Sequence, residues 1–427
     1  MKVAVVGAGL IGLATAYELA RRGAEVTVVG DRDPGAGASS NNAGWVVPAE
    51  SGPVPAPGMV LQTLRWMAKP DSPVFVRPEL SPSFARFFTG MLRACTASAY
   101  DRSFEATAAL ARGTMDALDT WAADGLAFEM HANGELRAYL DPVEYRHAVA
   151  DLGRYERAGL SPEALSGDEA RAAVPVLSDA VAGAVRFPDE RHVRPQTVVD
   201  ALVARLAAMG ATQIRGRVTG AWALPSGGVE LRGGFGSLQA DALVIAAGAW
   251  SGQVARLLGV RLPVRPGKGY SVDYAPAQLD MRPIVMLSEA HIAVTPLDGG
   301  TRVAGTMEFG GLDERTSPVR LRAIRTAPGR YFRTWDPDAP HLTPSAGLRP
   351  MMPDGIACVG RVRPFANVYV ATGHAMLGLT LAPRTAALLS AAILDGSDPE
   401  ELRPFSPSRF GARGGSGTGS RRTDPGH

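Results

Sequence analysis

Only two cysteines, Cys95 and Cys358, occur in 427 residues. That scarcity excludes a multi-disulfide framework and an iron–sulfur cluster held by four thiolates of this chain, and it fits a reducing, cytoplasmic setting. No stretch approaches the ~20 uncharged apolar residues needed to cross a bilayer, so at most peripheral contact with a membrane face is expected. The short apolar run Val3–Val6 leads into glycines and then Glu18, Arg21 and Arg22, which reads as a buried strand rather than a signal peptide. Neither sign of charge is in excess: 44 basic against 42 acidic residues give a net charge of +2, which leaves nucleic-acid binding without electrostatic support. Metal-ligand spacing, a nucleophile elbow and a phosphate-transfer loop are all missing, so no metal is expected and covalent catalysis is disfavoured.

What the chain does have is glycine in telling places and enough apolar sequence, 46%, for a large core in two or three domains. Val3–Val6, a glycine turn, helical spacing from Ile11 to Arg22 and a second strand at Val26–Val29 form the opening unit of a doubly wound parallel sheet. The turn, Val6-Gly7-Ala8-Gly9-Leu10-Ile11-Gly12, lets backbone approach a pyrophosphate at a helix N-terminus. By itself it does not choose between NAD and FAD. The acid usual at the end of the second strand is displaced: Gly30 stands there and Asp31 follows. Further along, 35–58 reads as loop, 61–100 and 104–125 as helices of a second domain, and Val198–Met209 as an amphipathic helix. Ala242–Ala247 reads as a buried strand of the first architecture, while Tyr270–Tyr274, Ile292–Pro296 and Thr301–Thr306 read as strands of the second domain. Asn367–Ala371 is a last strand before a helix of about Leu379–Leu394.

Three glycine-rich fragments carry the chemistry together. The first is the N-terminal turn. In the second, Gly347-Leu348-Arg349-Pro350, a guanidinium in an apolar setting matches a carboxylate bidentately. The third, Thr372-Gly373-His374-Ala375-Met376-Leu377-Gly378, points a helix N-terminus at a ring that becomes anionic on reduction. Ser39-Ser40-Asn41-Asn42-Ala43-Gly44 offers backbone donors, and Ala247-Gly248 ends a strand with residues small enough for close approach. His374 and His291 are candidate acid, base or substrate contacts, and Tyr270 is a candidate hydroxyl beside a substrate carboxylate; structural roles compete for all three. These features describe an FAD site beneath an anion clamp.

The same segments, with Pro266-Gly267-Lys268-Gly269-Tyr270-Ser271 and Ala304-Gly305-Thr306-Met307-Glu308, resemble the FAD-dependent D-amino-acid oxidase superfamily, nearest its bacterial D-amino-acid dehydrogenases and glycine-oxidase-like members. The resemblance runs to about Pro404. It implies an α/β fold: a Rossmann-like FAD-binding domain (1–53, 188–258, 345–404) interleaved with an α+β substrate domain (54–187, 259–344) carrying an antiparallel or mixed sheet. Residues 405–427 are expected to be a disordered tail. It further implies that Arg349 binds a substrate carboxylate, that Val218 contacts adenine, and that Met376, Leu377, Gly378, Leu379 and Thr380 lie against the flavin. Pro383 is expected in the first turn of the last helix. The expected reaction is hydride transfer from Cα of an amino or imino acid to flavin, with oxygen, a quinone or a partner protein as final acceptor. An amine or sarcosine-type oxidase, a tailoring oxidase, or an electron-transfer subunit remain the alternatives.

Overall fold

The computed structural model describes residues 1–59 and 72–411; the expected helix at 61–71 and the tail from 412 onward lie outside them. A six-stranded sheet is drawn from distant parts of the chain, in the order Thr212–Arg215, Glu25–Gly30, Lys2–Val6, Ala242–Ile245, Val368–Thr372, Cys358–Arg361. All neighbours are parallel except the last pair. The first strand is apolar throughout because both of its faces are covered. Val3 and Val5 pack with the helices, whereas Ala4 and Val6 pack toward a three-stranded antiparallel sheet of Val218–Ala223, Val229–Gly233 and Gly236–Ala240.

On the helical face, Leu10–Arg21 lies with Pro195–Ala208 and Gly378–Leu394 in one core. That core also takes Leu110, Ala111, Leu118 and Trp121 from the helices Ala97–Ala111 and Thr114–Ala123. This segment, expected in the second domain, therefore completes the first core instead. An amphipathic stripe specifies that a helix is buried, but not against which sheet. The link is partly polar: Trp121 Nε1 donates to the buried Glu18 carboxylate at 3.0 Å, and the Tyr17 hydroxyl donates to Asp124 at 2.8 Å.

The second large sheet is mixed. Its order is Ser345–Met351, Arg265–Tyr274, Gly300–Phe309, Ile292–Leu297, Ile284–Leu287, Glu135–Tyr139, Gly183–Phe187, Glu163–Ser166, with Val74–Val76 beside the end of Gly300–Phe309. Two expectations are corrected here. Val74–Val76 is a strand within a stretch read as helical, and the Arg349 strand, placed at the start of the third FAD stretch, belongs to this sheet. At the C-terminus, Glu400–Phe405 and Pro407–Phe410 are short 3-10 turns. Phe405 is buried and Arg409 is tied to Asp354, so 405–411 packs rather than opening the tail. Pro383 sits inside the last helix, beyond its first turn. Among the described residues no helix is long and apolar enough to cross a membrane.

Replacing Trp121 by Phe keeps the ring but strips Glu18 of its buried donor. The expected loss is about 1–3 kcal/mol, measurable as a lower urea midpoint with unchanged slope.

Candidate active site

The ends of Lys2–Val6, Glu25–Gly30 and Ala242–Ile245 open into a cleft of about 650 Å³ that reaches across to the mixed sheet. A crevice at the carboxyl ends of parallel strands is where doubly wound folds bind dinucleotides. Gly7 has φ +124°, and a Cβ there would collide with the Ala246 carbonyl; one on Gly12 would collide with the Gly7 carbonyl. The turn is thereby pressed against the sheet, and the helix it opens starts at Gly9 with no side-chain cap and no acid in its first turn. Leu10 N is instead met by the Ser39 hydroxyl at 2.9 Å. An open helix N-terminus of this kind suits a pyrophosphate.

A second helix start faces the same cleft. Gly378–Leu394 also lacks a side-chain cap and first-turn acid, and His374, Ala375, Met376, Leu377, Gly378 and Leu379 line the wall before and at its N-terminus. Two positive helix ends along one elongated cleft fit FAD, the pyrophosphate at one and the electron-accepting ring at the other.

Arg349 lines the cleft on the mixed sheet. Its strand pairs with Arg265–Tyr274, setting Arg349 opposite Gly267, and a Cβ on Gly269 would collide with the guanidinium. Glycine at 269 is what lets the side chain lie there. Nη1 donates to the Thr306 carbonyl at 2.6 Å, and among the described residues Arg349 forms no salt bridge. Thr306 has φ +69° and falls where the pairing of the two strands slips, between Lys268 and Tyr270, so a bulge aims its carbonyl at the guanidinium. Desolvation lowers the Arg349 pKa to about 10, still leaving it charged at neutral pH.

Of the sequence-derived candidates, Val6, Gly7, Ala8, Gly9, Leu10, Ile11, Asp31, Asn41, Asn42, Ala43, Val218, Ala247, Gly248, His291 and Arg349 also line the cleft. Others do not face it. Ser40 bonds the Gly35 carbonyl, Gly44 is pressed against the Val193 carbonyl, and Gly373 against Met352. Thr380 uses its hydroxyl to hold Val47 N at 3.0 Å. Tyr270 is the clearest correction: strand alternation turns it to the face opposite Gly269, where it is fully buried and its hydroxyl donates to Glu308 at 2.7 Å. Lys268 and Arg320 meet the same carboxylate at 3.3 and 3.2 Å, so Tyr270 belongs to a structural charge cluster. His374 is buried with Nε2 3.2 Å from the Thr385 hydroxyl, and burial lowers its pKa to about 3. It is a neutral hydrogen-bonding group, not a proton carrier. His291, at φ +52° in the turn between two strands, is likewise shifted below the ordinary imidazole value by desolvation.

Several lining residues escaped the sequence reading. Arg32 lies over the Trp250 ring at 4.5 Å at the nucleotide end. Glu50, Tyr100, Met286, Thr306 and Met307 line the other end. No local motif marks Glu50, Tyr100 or Met286, whereas Thr306 and Met307 fall in a segment that carries the family resemblance; Glu50 is signalled only as a lone acid after the apolar Trp45–Pro48.

Known proteins resemble this chain along most of its length. Residues 2–392 match the family described as FAD dependent oxidoreductase. A D-amino acid dehydrogenase of Cereibacter sphaeroides is 35% identical, over 97% of this chain and 96% of its own length. One from Granulibacter bethesdensis is 34% identical, over 93% and 97%. Among solved structures, glycine oxidase from Geobacillus kaustophilus superposes with a TM-score of 0.75 at 24% identity, over 95% of this chain and 98% of its own. L-proline dehydrogenase from P. horikoshii gives 0.72 at 18%, over 96% and 97%, a likeness of fold alone.

Substituting Gly7 by Ala forces the turn away from Ala246. The expected outcome is a folded chain that retains little flavin, read as visible absorbance per mole of purified protein.

Proposed function

The chain belongs to the FAD-dependent oxidoreductase family, and from that premise we propose that it oxidises a small D-amino acid at its α carbon, giving an imine that water converts to a keto acid. The observation that carries the reading is the Arg349 guanidinium, which lines the cleft with no ion-pair partner among the described residues. A cation partly removed from water without a counter-charge is costly, and a substrate carboxylate is the partner that removes the cost. The D-amino acid dehydrogenase relatives, similar along nearly the whole chain, support the same substrate class.

Bound FAD would supply the two-electron acceptor, taking a hydride from Cα at its N5. The protein's own contribution is placement. Arg349 holds the carboxylate, with the Thr306 carbonyl fixing one guanidinium nitrogen so that the rest of the fork faces the cleft. Met286, Ala293 and Met307 supply apolar wall nearby. The Ala375 amide donates to the Pro350 carbonyl at 3.1 Å, tying the loop before the last helix to the strand that carries Arg349. The N-terminus of Gly378–Leu394 would stabilise negative charge gathering on the reduced ring.

Arg349→Ala is expected to lose about 2–4 kcal/mol of transition-state stabilisation, roughly 30- to 1,000-fold in kcat/KM, with FAD content unchanged. Equal kcat/KM in the variant would remove Arg349 from the substrate. Gly269→Ala, which leaves the charge but displaces it, is expected to raise KM for the amino acid about tenfold or more. The charge itself has a pH window. Carboxylate affinity is present below about pH 10 and declines as pH rises through the depressed Arg349 pKa; inhibition constants for a simple carboxylate, measured across that range, check the sign.

A further inference from the structure

The cleft lining carries acids in two places. Asp31 and Asp33 stand at the nucleotide end with Arg32 and Arg217, whereas Glu50 stands alone near Tyr100, Met286 and His291. The chain around Glu50 is firmly held: Trp45 Nε1 donates to Thr295 at 2.7 Å, Val47 N to Thr380 at 3.0 Å, and Ala49 N to Glu190 at 2.9 Å. Glu50 shares a small side pocket with His374, Ala375, Met376 and Leu377. The other flank of that loop is bonded to Pro350, next to Arg349. A cation and an anion thus line the same cleft, both near the loop that precedes the last helix.

Behind Glu50 the charges do not balance. Arg137 Nε lies 3.2 Å from Glu50 and 2.7 Å from Glu135, and Glu190 is buried close by, so three carboxylates share one guanidinium. Among the described residues Glu135 Oε2, Glu190 Oε2 and Arg137 Nη2 have no hydrogen-bond partner. Such a cluster is under-satisfied as it stands, and an added proton relieves it.

We propose that Glu50 accepts the proton of the substrate's α-ammonium, with the Arg137–Glu135–Glu190 cluster behind it sharing that proton. This rests on the amino-acid reading above and adds the base that such a reaction needs at neutral pH. An N–H bond of the ammonium breaks and an O–H bond forms on Glu50. The freed lone pair then becomes the second C–N bond as the Cα–H bond breaks and its two electrons leave with the hydrogen to FAD. The product is an iminium, and Glu50 returns its proton to water when product leaves.

The carboxylates behind Glu50 are shifted toward their protonated forms. Burial, set against the Arg137 charge, raises the Glu135 pKa to about 7, and burial raises that of Glu190 well above the carboxylate range. From the Ala97–Ala111 helix Tyr100 faces Glu50, its hydroxyl raised by burial to about 12 and its ring under Arg154; Tyr139 is raised to about 12 as well. The Tyr155 hydroxyl is taken up by Arg137 at 2.9 Å, and His291 is shifted toward its neutral form. Glu135 is therefore the neighbour whose charge changes in the working range.

The test combines two measurements on the FAD-loaded protein. The rate of anaerobic flavin reduction by D-alanine, followed from pH 5 to pH 10, should fall in Glu50→Gln by about a hundredfold at pH 7 and recover as pH approaches the pKa of the free substrate ammonium; Glu50→Asp should restore part of the rate. By calorimetry, the variant should bind 2-aminoisobutyrate, which has no Cα hydrogen, more weakly than the parent while binding isobutyrate equally well. An unchanged pH profile, equal weakening of both ligands, or a loss confined to substrates with cationic side chains would overturn the proposal. Failure of any amino acid to reduce the parent protein's flavin would overturn it together with the amino-acid reading, whereas normal reduction by Glu50→Gln sinks the base alone.

Discussion

A single uncompensated positive charge organises the catalytic half of this molecule. Arg349 is held in a cleft wall without a carboxylate partner among the described residues, and the neighbouring backbone is shaped around it. Gly269 leaves the space the guanidinium occupies, and the bulge at Thr306, at φ +69°, turns a carbonyl toward Nη1. Positive φ at a β-branched residue is an unfavourable conformation that persists only where its surroundings impose it. The desolvated cation makes a site that an anion would stabilise.

The parallel sheet supplies the other half. Its strand ends and the tight Gly7 turn leave one helix N-terminus open at one end of the cleft, and Gly378–Leu394 presents a second. A dinucleotide bound in the cleft would lie between two helix N-termini, with Arg349 and Glu50 both on the cleft lining. Opposite charges on one cleft lining would match a zwitterion, which would explain why a fold shared by many flavoproteins takes an amino acid in this chain.

Local pattern made part of this legible beforehand. The strand–turn–helix–strand start and the closing Val368–Thr372 strand with its helix are contiguous in sequence, so period and glycine placement disclose them. Arg349 stood out because Leu348 and Pro350 flank a charge with no obvious solvent-facing pattern. What depends on which distant surfaces meet was not legible. Tyr270 is one residue from Gly269, yet pleating sends it to the opposite face into the Glu308 cluster. Leu110, Leu118 and Trp121 show helical spacing that is silent about which core receives them. Glu50 gains its significance only from Glu135, Arg137 and Glu190, brought together from sequence positions 85 to 140 residues away. Phe405 packs into the core of the parallel-sheet domain and Arg409 is tied to Asp354, in a stretch whose composition suggested a tail.

The most direct test of the central claim is an anaerobic titration of the FAD-loaded protein with D-alanine, L-alanine and ethylamine, following the visible flavin band. The account predicts that D-alanine bleaches the band and that ethylamine, which offers Arg349 no carboxylate, does not. Bleaching by ethylamine with none by either alanine would contradict it.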